Sequence, residues 1–310
     1  MKVAIIGAGW LGCHLALKLR EKYQVVLYEA DEVFSQTSYR NQNRLHLGFH
    51  YARNSYTRTL CKQTFAQFLK DYDFLTSEIK NNIYAVPNRH SLLDFDTYLC
   101  IFDDFEYEIF PVDLENIQGA IRVNERYVDP FKAKRFFEGE LQDVIRYSKI
   151  EETDLGFLSS ECDLVINCTN NQFHKIENEC YEEDCEVLLY DRINNDIPFD
   201  ALTMVDGDLY SIFPYKNNTF TVTDVGVTPS TVDTKVKKHI IEKKILENYP
   251  NFLNDFEYKE SFFSTKVKPV DDSPDRVPKF RRDGKVIDCF TGKIQGIYAV
   301  ETYVRRICGF

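Results

Sequence analysis

Hydrophobic positions in the first thirty residues change from a short run to a helical spacing and back to a run. Val3–Ile6 is an apolar run of strand length, and Leu15, Ala16 and Leu19 then share the face of a helix. Val25–Tyr28 is a second apolar run. The pattern therefore predicts a β–α–β unit with parallel strands at the start of the chain.

The same reasoning predicts further elements along the chain. Helices are expected over 59–72, 91–102, 129–141, 232–249 and 293–308, strands over 82–87, 162–170 and 285–290, an antiparallel sheet within 187–227, and a long polar loop over 31–58. The run at 162–170 is almost continuously apolar, as in a buried parallel strand. The order predicts an α/β fold in which a Rossmann-type domain is interrupted by a smaller, mostly antiparallel α+β domain.

A glycine-rich turn stands between the first predicted strand and helix. Gly7 permits the tight turn, Gly9 lets the backbone approach a pyrophosphate, and Gly12 lets the helix pack on the strand. The helix N-terminus offers N–H groups and a positive dipole end to phosphates. Glu29 closes the second strand, where a carboxylate accepts hydrogen bonds from a ribose. The sequence therefore predicts a dinucleotide site.

Composition narrows the class of protein. The chain has 310 residues, 44% of them hydrophobic and 28% charged, with a net charge of −11. Such a charge argues against nucleic-acid backbones and anionic membrane surfaces as partners. The longest apolar runs are too short to span a membrane, and no signal peptide precedes the glycine turn. Nine scattered cysteines without metal-ligand spacing favour reduced thiols in a cytoplasmic protein and no metal site.

Four separated stretches resemble flavin oxidoreductases of the D-amino-acid oxidase and glycerol-3-phosphate dehydrogenase type. They are the glycine turn with Glu29, the loop 37–51, the strand end 163–170, and the segments 273–278 and 290–294. The loop contains Asn-Gln-Asn-Arg-Leu-His-Leu-Gly-Phe-His-Tyr, which is similar to a subgroup often found beside surface-polysaccharide biosynthesis enzymes. Asn170 stands where the family usually has Gly, and the segment 141–163 is short for the usual pair of crossover strands.

The resemblance implies FAD as the cofactor and assigns residues to it. The implied FAD-binding residues are Gly7, Ala8, Gly9, Trp10, Gly12, Glu29, Ser38, Asn43, Arg44, Leu45, Thr169, Asn170, Thr291, Gly292, Lys293 and Ile294. It also implies a discontinuous FAD-binding domain over 1–80, 127–175 and 262–310, with a substrate domain over 81–126 and 176–261.

Catalysis on a flavin needs charge stabilisation, and proton removal where the substrate is protonated. Lys293, at a predicted helix start, is the candidate cation, and His46 and His50 are the candidate bases. A surface lysine and backbone-bonded histidines are the structural alternatives. Candidate substrate contacts are Tyr51, Arg53, Tyr210, Tyr215 and Arg276, although arginines also pair with acids (for Arg276, Asp272 or Asp275) and aromatics often only pack.

The predicted function is FAD-dependent oxidation of a C–N or C–O bond in a small polar molecule, such as an amine, amino acid or sugar derivative, by hydride transfer to flavin N5. Two alternatives stay open. One is an NAD-dependent dehydrogenase, because Glu29 serves either dinucleotide. The other is a flavin-binding lyase or structural protein without net redox turnover. The sequence leaves the substrate, the electron acceptor, covalent flavin attachment and the oligomeric state open.

Overall fold

The computed structural model describes residues 1–174, 180–270, 276 and 278–309. The chain forms two compact units. The first unit contains 1–40, 130–183 and 266–310, and the second contains 41–129 and 184–265. The second unit holds more residues than the first, so the expectation of a smaller inserted domain was wrong.

The elements follow each other in this order. The strands are β1 Lys2–Ile6, β2 Gln24–Glu29, β3 Arg44–Leu45, β4 Thr76–Glu78, β5 Asn82–Pro87, β6 Glu108–Ile109, β7 Ile117–Arg122, β8 Arg126–Val128, β9 Ile145–Tyr147, β10 Leu164–Asn167, β11 Cys180–Arg192, β12 Ala201–Met204, β13 Tyr210–Lys216, β14 Thr219–Asp224, β15 Phe256–Pro269, β16 Lys279–Asp283 and β17 Val286–Phe290. The α-helices are α1 Trp10–Leu19, α2 Ser55–Tyr72, α3 Phe95–Ile101, α4 Pro130–Glu140, α5 Leu155–Glu161, α6 Thr234–Leu246, α7 Phe252–Asp255 and α8 Ile297–Cys308. Short 3-10 turns lie at Asp73–Leu75, Glu152–Asp154 and Ile294–Gly296.

A six-stranded sheet forms the centre of the first unit, in the order β16-β17-β10-β1-β2-β9. The strands from β17 to β9 are parallel, and β16 pairs antiparallel with β17. β1 and β10 are almost wholly buried, which explains their continuous apolar sequences. The carboxyl ends of β1, β2 and β10 therefore meet at one edge, where open α/β sheets bind ligands. This is the predicted Rossmann-type arrangement.

The second unit is built on a mixed sheet in the order β15-β11-β14-β13-β12-β5-β7-β6. The pairs β11–β14, β13–β14, β12–β13 and β5–β7 are antiparallel, whereas β12 pairs parallel with β5. A three-stranded antiparallel sheet, β3-β8-β4, completes this unit. The antiparallel expectation for 187–227 is confirmed.

The two faces of the large sheet differ in chemistry because side chains alternate along each strand. Leu202, Ile212 and Val222 lie on one face, in a core cluster that includes Ile241 and Ile245 of α6. Polar side chains fill the other face at the next positions, and we call this set the hydroxyl face: Thr203, Ser211, Thr221 and Thr223. All four are buried.

Several predicted boundaries move for identifiable reasons. The helix expected from Ser91 begins at Phe95, because Asp94 is its N-cap and accepts from Thr97 N–H at 2.8 Å. The loop expected over 31–58 contains β3, and α2 begins at Ser55 behind the Asn54 N-cap. The helix expected from Lys293 is a 3-10 turn, and α8 starts only at Ile297.

The predicted domain division differs from the observed one mainly at 41–80. That stretch lies in the second unit, because β3 and β4 both pair with β8 there. β9 provides one strand between α4 and α5, where a pair is usual in the family that the sequence resembles.

All nine cysteines are free, with Cys13, Cys168 and Cys289 buried and Cys100 exposed. Within the described ranges, no helix is long and apolar enough to cross a bilayer.

Candidate cofactor site and active site

The glycine turn has the geometry that a phosphate-binding loop needs. Gly7 has φ of +97°, and its N–H donates to Tyr28 O at 2.8 Å. A β-carbon at Gly12 would lie 1.9 Å from the Gly7 carbonyl oxygen. Only hydrogen fits there, so the start of α1 packs directly on the end of β1.

Ser38 marks the place where a phosphate would meet α1. A β-carbon at Gly9 would lie 2.8 Å from Ser38 Oγ, which accepts from Trp10 N–H at 3.0 Å. Ser38 can therefore reach the Trp10 N–H, the first of α1, because Gly9 has no side chain to block it. The Trp10 ring is buried against Phe34 and Phe137, with ring centroids 5.1 and 5.3 Å away.

Glu29 links the glycine turn to the end of β2. Its carboxylate accepts from Ala8 N–H at 2.6 Å and from Asp31 N–H at 3.0 Å. A carboxylate has about four lone-pair sites, so two remain for ribose hydroxyls. Ala8 itself is buried, and its carbonyl accepts from Phe34 N–H at 3.1 Å.

The end of β10 forms a second tight turn beside Gly7. Thr169 Oγ1 donates to Asn167 Oδ1 at 2.8 Å and accepts from Phe173 N–H at 3.1 Å. Asn170 has φ of +55°, the left-handed region in which Asn is the most tolerated side chain after Gly. This conformation explains how Asn170 can stand at a position where the flavin oxidoreductases that the sequence resembles usually have Gly.

The segment after β17 was expected at the flavin pyrimidine. Thr291, Gly292, Lys293 and Ile294 follow that strand, and all four are partly buried. A β-carbon at Gly292 would lie 2.9 Å from Arg276 Cα, so these backbone stretches pack closely. Arg276 is described, but Asp272 and Asp275, its expected alternative partners, lie outside the described residues, as do the neighbouring residues 273, 274 and 277.

These features of the first unit fit a dinucleotide. A side chain at Gly12 would collide with backbone, and one at Gly9 would collide with Ser38. A helix starts at the turn, and the Glu29 carboxylate lies at the end of the neighbouring strand. Gly7, Gly9, Gly12 and the N-terminus of α1 would hold the pyrophosphate, and Glu29 would hold the adenosine ribose.

The second unit contains the remaining predicted residues, beginning with β3. Asn43 has φ of +53°, and its carbonyl accepts from Val128 N–H at 2.8 Å. Arg44 is buried, donates to Thr203 Oγ1 at 2.7 Å and lies 4.2 Å from the Phe213 ring centroid. Burial lowers the pKa of Arg44, and the nearby Tyr84 and Glu125 act against that lowering. Leu45 is fully buried. The arginine thus places a cation at the hydroxyl face.

The structure brings the two candidate bases together. The rings of His46 and His50 stack with centroids 5.9 Å apart, and Tyr51 contacts both edge-on at 5.6 and 5.1 Å. His46 is buried, whereas His50 and Tyr51 are partly exposed. Two candidate bases and one candidate substrate contact from the same loop therefore form one cluster.

Glu125 belongs to this cluster and was missed by sequence reasoning. It is fully buried, accepts from Tyr84 Oη and from Leu47 N–H at 2.7 Å each, and lies 3.8 Å from His46 Nδ1. Burial raises the pKa of Glu125, and the bonds from Tyr84 and Leu47 act against that rise. An acid between two short strands carries no local signal of such a role.

The other substrate candidates lie in different surroundings. Arg53 is exposed and pairs with the buried Asp206, which sequence reasoning also missed. Tyr210 lies in the core cluster beneath α6 and donates to Asn248 Oδ1 at 3.4 Å, so it is absent from the hydroxyl face. Tyr215 is buried and packs against Phe262 at 5.5 Å.

A glutamine connects the loop 41–51 to the hydroxyl face. Gln42 Nε2 donates to Ser211 Oγ at 3.3 Å and to Thr221 Oγ1 at 3.2 Å. Ser211 and Thr223 share a further hydrogen bond of 3.0 Å. With Arg44 on Thr203, this gives the second unit a buried surface rich in hydrogen-bonding groups.

Comparison with known proteins identifies the class. The family profile described as "DAO: FAD dependent oxidoreductase" matches residues 2–86. The chain is 32% identical over 329 aligned positions to the FAD-dependent monooxygenase FPY4 of Fusarium mangiferae, covering 96% of this chain and 88% of that protein. The FAD-dependent monooxygenase kojA of Aspergillus flavus is 38% identical over 87 residues, covering 27% of this chain and 20% of that protein.

Solved structures agree on the fold. Glycine oxidase from Geobacillus kaustophilus has a TM-score of 0.71 at 12% identity, covering 97% of this chain and 92% of that one. L-proline dehydrogenase from P. horikoshii also has a TM-score of 0.71, at 13% identity, covering 99% and 93%. The chain belongs to the DAO-type FAD-dependent oxidoreductases, and its cofactor is FAD. The alternative of an NAD-dependent dehydrogenase was therefore wrong. The sequence had left it open because a Glu at the end of β2 serves either dinucleotide.

Proposed function

We propose that the protein oxidises a C–N or C–O single bond in a small polar substrate. The observation that carries the proposal is the cluster of His46, His50 and Tyr51, in the same unit as a buried face of hydroxyl groups and Arg44. A substrate with several hydrogen-bonding groups suits such surroundings, because it can exchange hydrogen bonds with them and an apolar one cannot.

The reaction balances with one base. Bound FAD supplies a two-electron acceptor at flavin N5. The substrate C–H hydrogen leaves with both bonding electrons as hydride, the proton on the adjacent N or O passes to a base, and a C=N or C=O bond forms. His46 or His50 takes that proton, and Tyr51 and Arg53 orient the substrate. An amine that is already neutral needs no base for the hydride step.

The first unit holds the cofactor in this proposal. The glycine turn and the N-terminus of α1 bind the pyrophosphate, Ser38 donates its hydroxyl proton to a phosphate oxygen, and Glu29 binds the ribose. Lys293 and the backbone of 291–294 would stabilise the negative charge that builds up at the flavin pyrimidine on reduction. The segments 1–40, 130–183 and 266–309 thus act as the FAD-binding part, and the second unit as the substrate part.

Among substrate classes, amines, amino acids and sugar derivatives remain equal candidates. The sugar option remains from the sequence, in which residues 41–51 resemble a subgroup found beside surface-polysaccharide biosynthesis enzymes. The amine and amino-acid options are supported by the fold, which glycine oxidase and L-proline dehydrogenase share.

A second candidate is hydroxylation, because the FPY4 and kojA relatives are named monooxygenases. That reaction places one atom of O₂ in the product and releases the other as water, with two electrons from a reduced nicotinamide. The candidates therefore differ in what reduces the flavin. The substrate itself reduces it in the first, and NADH or NADPH reduces it in the second.

Anaerobic flavin bleaching separates them. The purified FAD-loaded protein is mixed without oxygen with single amines, amino acids and sugar derivatives, and then with NADH or NADPH in the presence of each. Loss of flavin absorbance with a substrate alone supports the oxidation. Bleaching only with a reduced nicotinamide supports the monooxygenase. An oxidised flavin throughout contradicts both and favours a lyase or a flavin-binding protein without redox turnover.

A further inference from the structure

The hydrogen bonds of Glu125 favour its ionised form. Its carboxylate accepts from Leu47 N–H and Tyr84 Oη, each at 2.7 Å, and the Gly48 N–H is a further donor. An ionised carboxylate only accepts, so it satisfies all three donors. A protonated acid or an amide would turn a donor of its own towards them. The partners therefore favour the anion, against the burial that raises the pKa of Glu125.

The strand pairing fixes this anion beside His46. Leu45 pairs with Arg126 in the antiparallel β3–β8 ladder, so the next residues, His46 and Glu125, stand opposite each other. His46 Nδ1 lies 3.8 Å from Glu125 Oε2, the oxygen that Tyr84 also contacts. Both side chains are buried, so their charges interact with little screening by solvent.

Other groups surround the pair and contribute to its electrostatics. They are Arg44, Cys61, Tyr84 and Tyr98 around Glu125, and His50 and Tyr51 around His46. The Arg44 cation acts on Glu125 and neutralises part of the carboxylate charge. The tyrosines and the thiol are neutral near pH 7, because burial raises the pKa of Cys61, Tyr84 and Tyr98.

We propose that Glu125 is a positioning residue that stabilises the protonated form of His46, making His46 the group that holds the substrate proton. The inference rests on the proposed oxidation for its catalytic meaning, and it selects between the two histidines of the cluster. An opposite charge within about 4–6 Å favours the charged form of its neighbour by about one to three pH units. Glu125 also holds the backbone at Leu47, so it fixes the place of the ring as well as its charge.

Histidine titration by NMR tests the inference without turnover. The FAD-loaded protein is labelled with ¹⁵N-histidine, and signals are assigned with the His46→Gln and His50→Gln variants. In Glu125→Gln, the proton affinity of His46 falls at least tenfold. In Tyr84→Phe it rises, because Oε2 loses a competing donor while Leu47, Gly48 and Arg44 still favour the anion. The four remaining histidines serve as internal controls, since the protein has six.

The His46 titration can overturn the inference in either variant. A His46 midpoint that changes less than about twofold in folded Glu125→Gln overturns the inference. If that variant does not fold, Tyr84→Phe decides alone, and an unchanged or lower His46 midpoint overturns it. Flavin bleaching distinguishes this failure from failure of the proposed oxidation. If a substrate bleaches the flavin but the titration of His46 is unchanged in the variants, only the role of Glu125 is refuted. If His46 titrates as expected but no substrate bleaches the flavin, only the proposed oxidation is refuted.

Discussion

His14 Nε2 lies 3.0 Å from Glu301 Oε2 and thereby joins α1 to α8 within the first unit. The His14 side chain is fully buried, and its ring contacts Tyr298 edge-on at 5.2 Å. Glu301 also accepts from Arg305 Nε at 2.8 Å. The helix after the glycine turn and the last helix of the chain are thus tied by a mostly buried polar network.

This network makes stability depend on pH. Burial opposes ionisation of Glu301, but the bonds and charges of His14 and Arg305 outweigh it and lower its pKa from 4.5 to about 2. A depressed acid pKa stabilises the fold above the unfolded value, and the contribution is lost as pH falls from about 4.5 to about 2. Glu301→Gln is expected to cost on the order of 2 kcal/mol near neutral pH.

Thermal unfolding from neutral to acid pH checks this. The difference in Tm between the wild type and Glu301→Gln is expected to shrink towards pH 2. Glu21→Gln, which changes an exposed acid of the same unit, is the matched control and leaves Tm within error. A Tm difference that stays constant over the whole pH range would contradict the assignment.

Gly12→Ala is expected to abolish FAD binding. The new β-carbon would meet the Gly7 carbonyl oxygen at 1.9 Å, so the turn must open. Gly139→Ala is the control, because nothing lies within 4 Å of a β-carbon there and the site is inside α4. That change should stabilise the helix by about 0.5–1 kcal/mol and leave FAD bound. Flavin content after gel filtration measures both variants, and a yellow Gly12→Ala protein would refute the prediction.

Glu29→Gln is expected to weaken FAD binding about tenfold, the equivalent of one lost charged hydrogen bond. The amide keeps one acceptor but presents an NH₂ group where the carboxylate now accepts from Ala8 and Asp31 N–H. Titration of the apoprotein with FAD, followed by quenching of flavin fluorescence, gives the affinity. Asp31→Asn changes an exposed acid two residues away and should bind FAD as the wild type does. Equal affinities for Glu29→Gln and wild type would be inconsistent with the ribose contact.

Gly48→Ala is expected to destabilise the fold by at least about 2 kcal/mol. Gly48 has φ of +121°, and a β-carbon would meet Arg58 backbone and side-chain atoms at 3.0–3.2 Å. Gly284→Ala is the comparison, because its φ of +56° is a milder left-handed conformation with nothing within 4 Å of the new β-carbon, and should cost about 1 kcal/mol. Urea unfolding measures both variants, and equal costs would contradict the prediction.

Local sequence was sufficient for the β–α–β start of the first unit. The turn from Gly7 to Gly12 needs glycine for reasons that lie within a few residues, so β1, α1 and β2 could be predicted closely. In the same unit, α4 begins at the proline that a helix accepts in its first turn, and in the second unit β5 was predicted at its observed bounds.

The second unit depends on contacts between distant residues, which no local pattern reveals. Residues 41–80 were assigned to the wrong unit because β3 is two residues long and its partner β8 lies about eighty residues later. For the same reason Glu125 was missed, although His46 beside it was selected. Tyr210 shows the converse error: its type suggested a contact with substrate, while the alternation along β13 turns it into the core.

The buried thiols have a practical consequence for labelling the protein. Cys13 and Cys168 adjoin the glycine turn, and burial raises the pKa of both, so each is held as the less nucleophilic S–H form. Cys100 is exposed on α3 of the other unit. Alkylating dyes should therefore attach to Cys100 first, which gives a fluorescent reporter of the second unit while the dinucleotide turn stays chemically untouched.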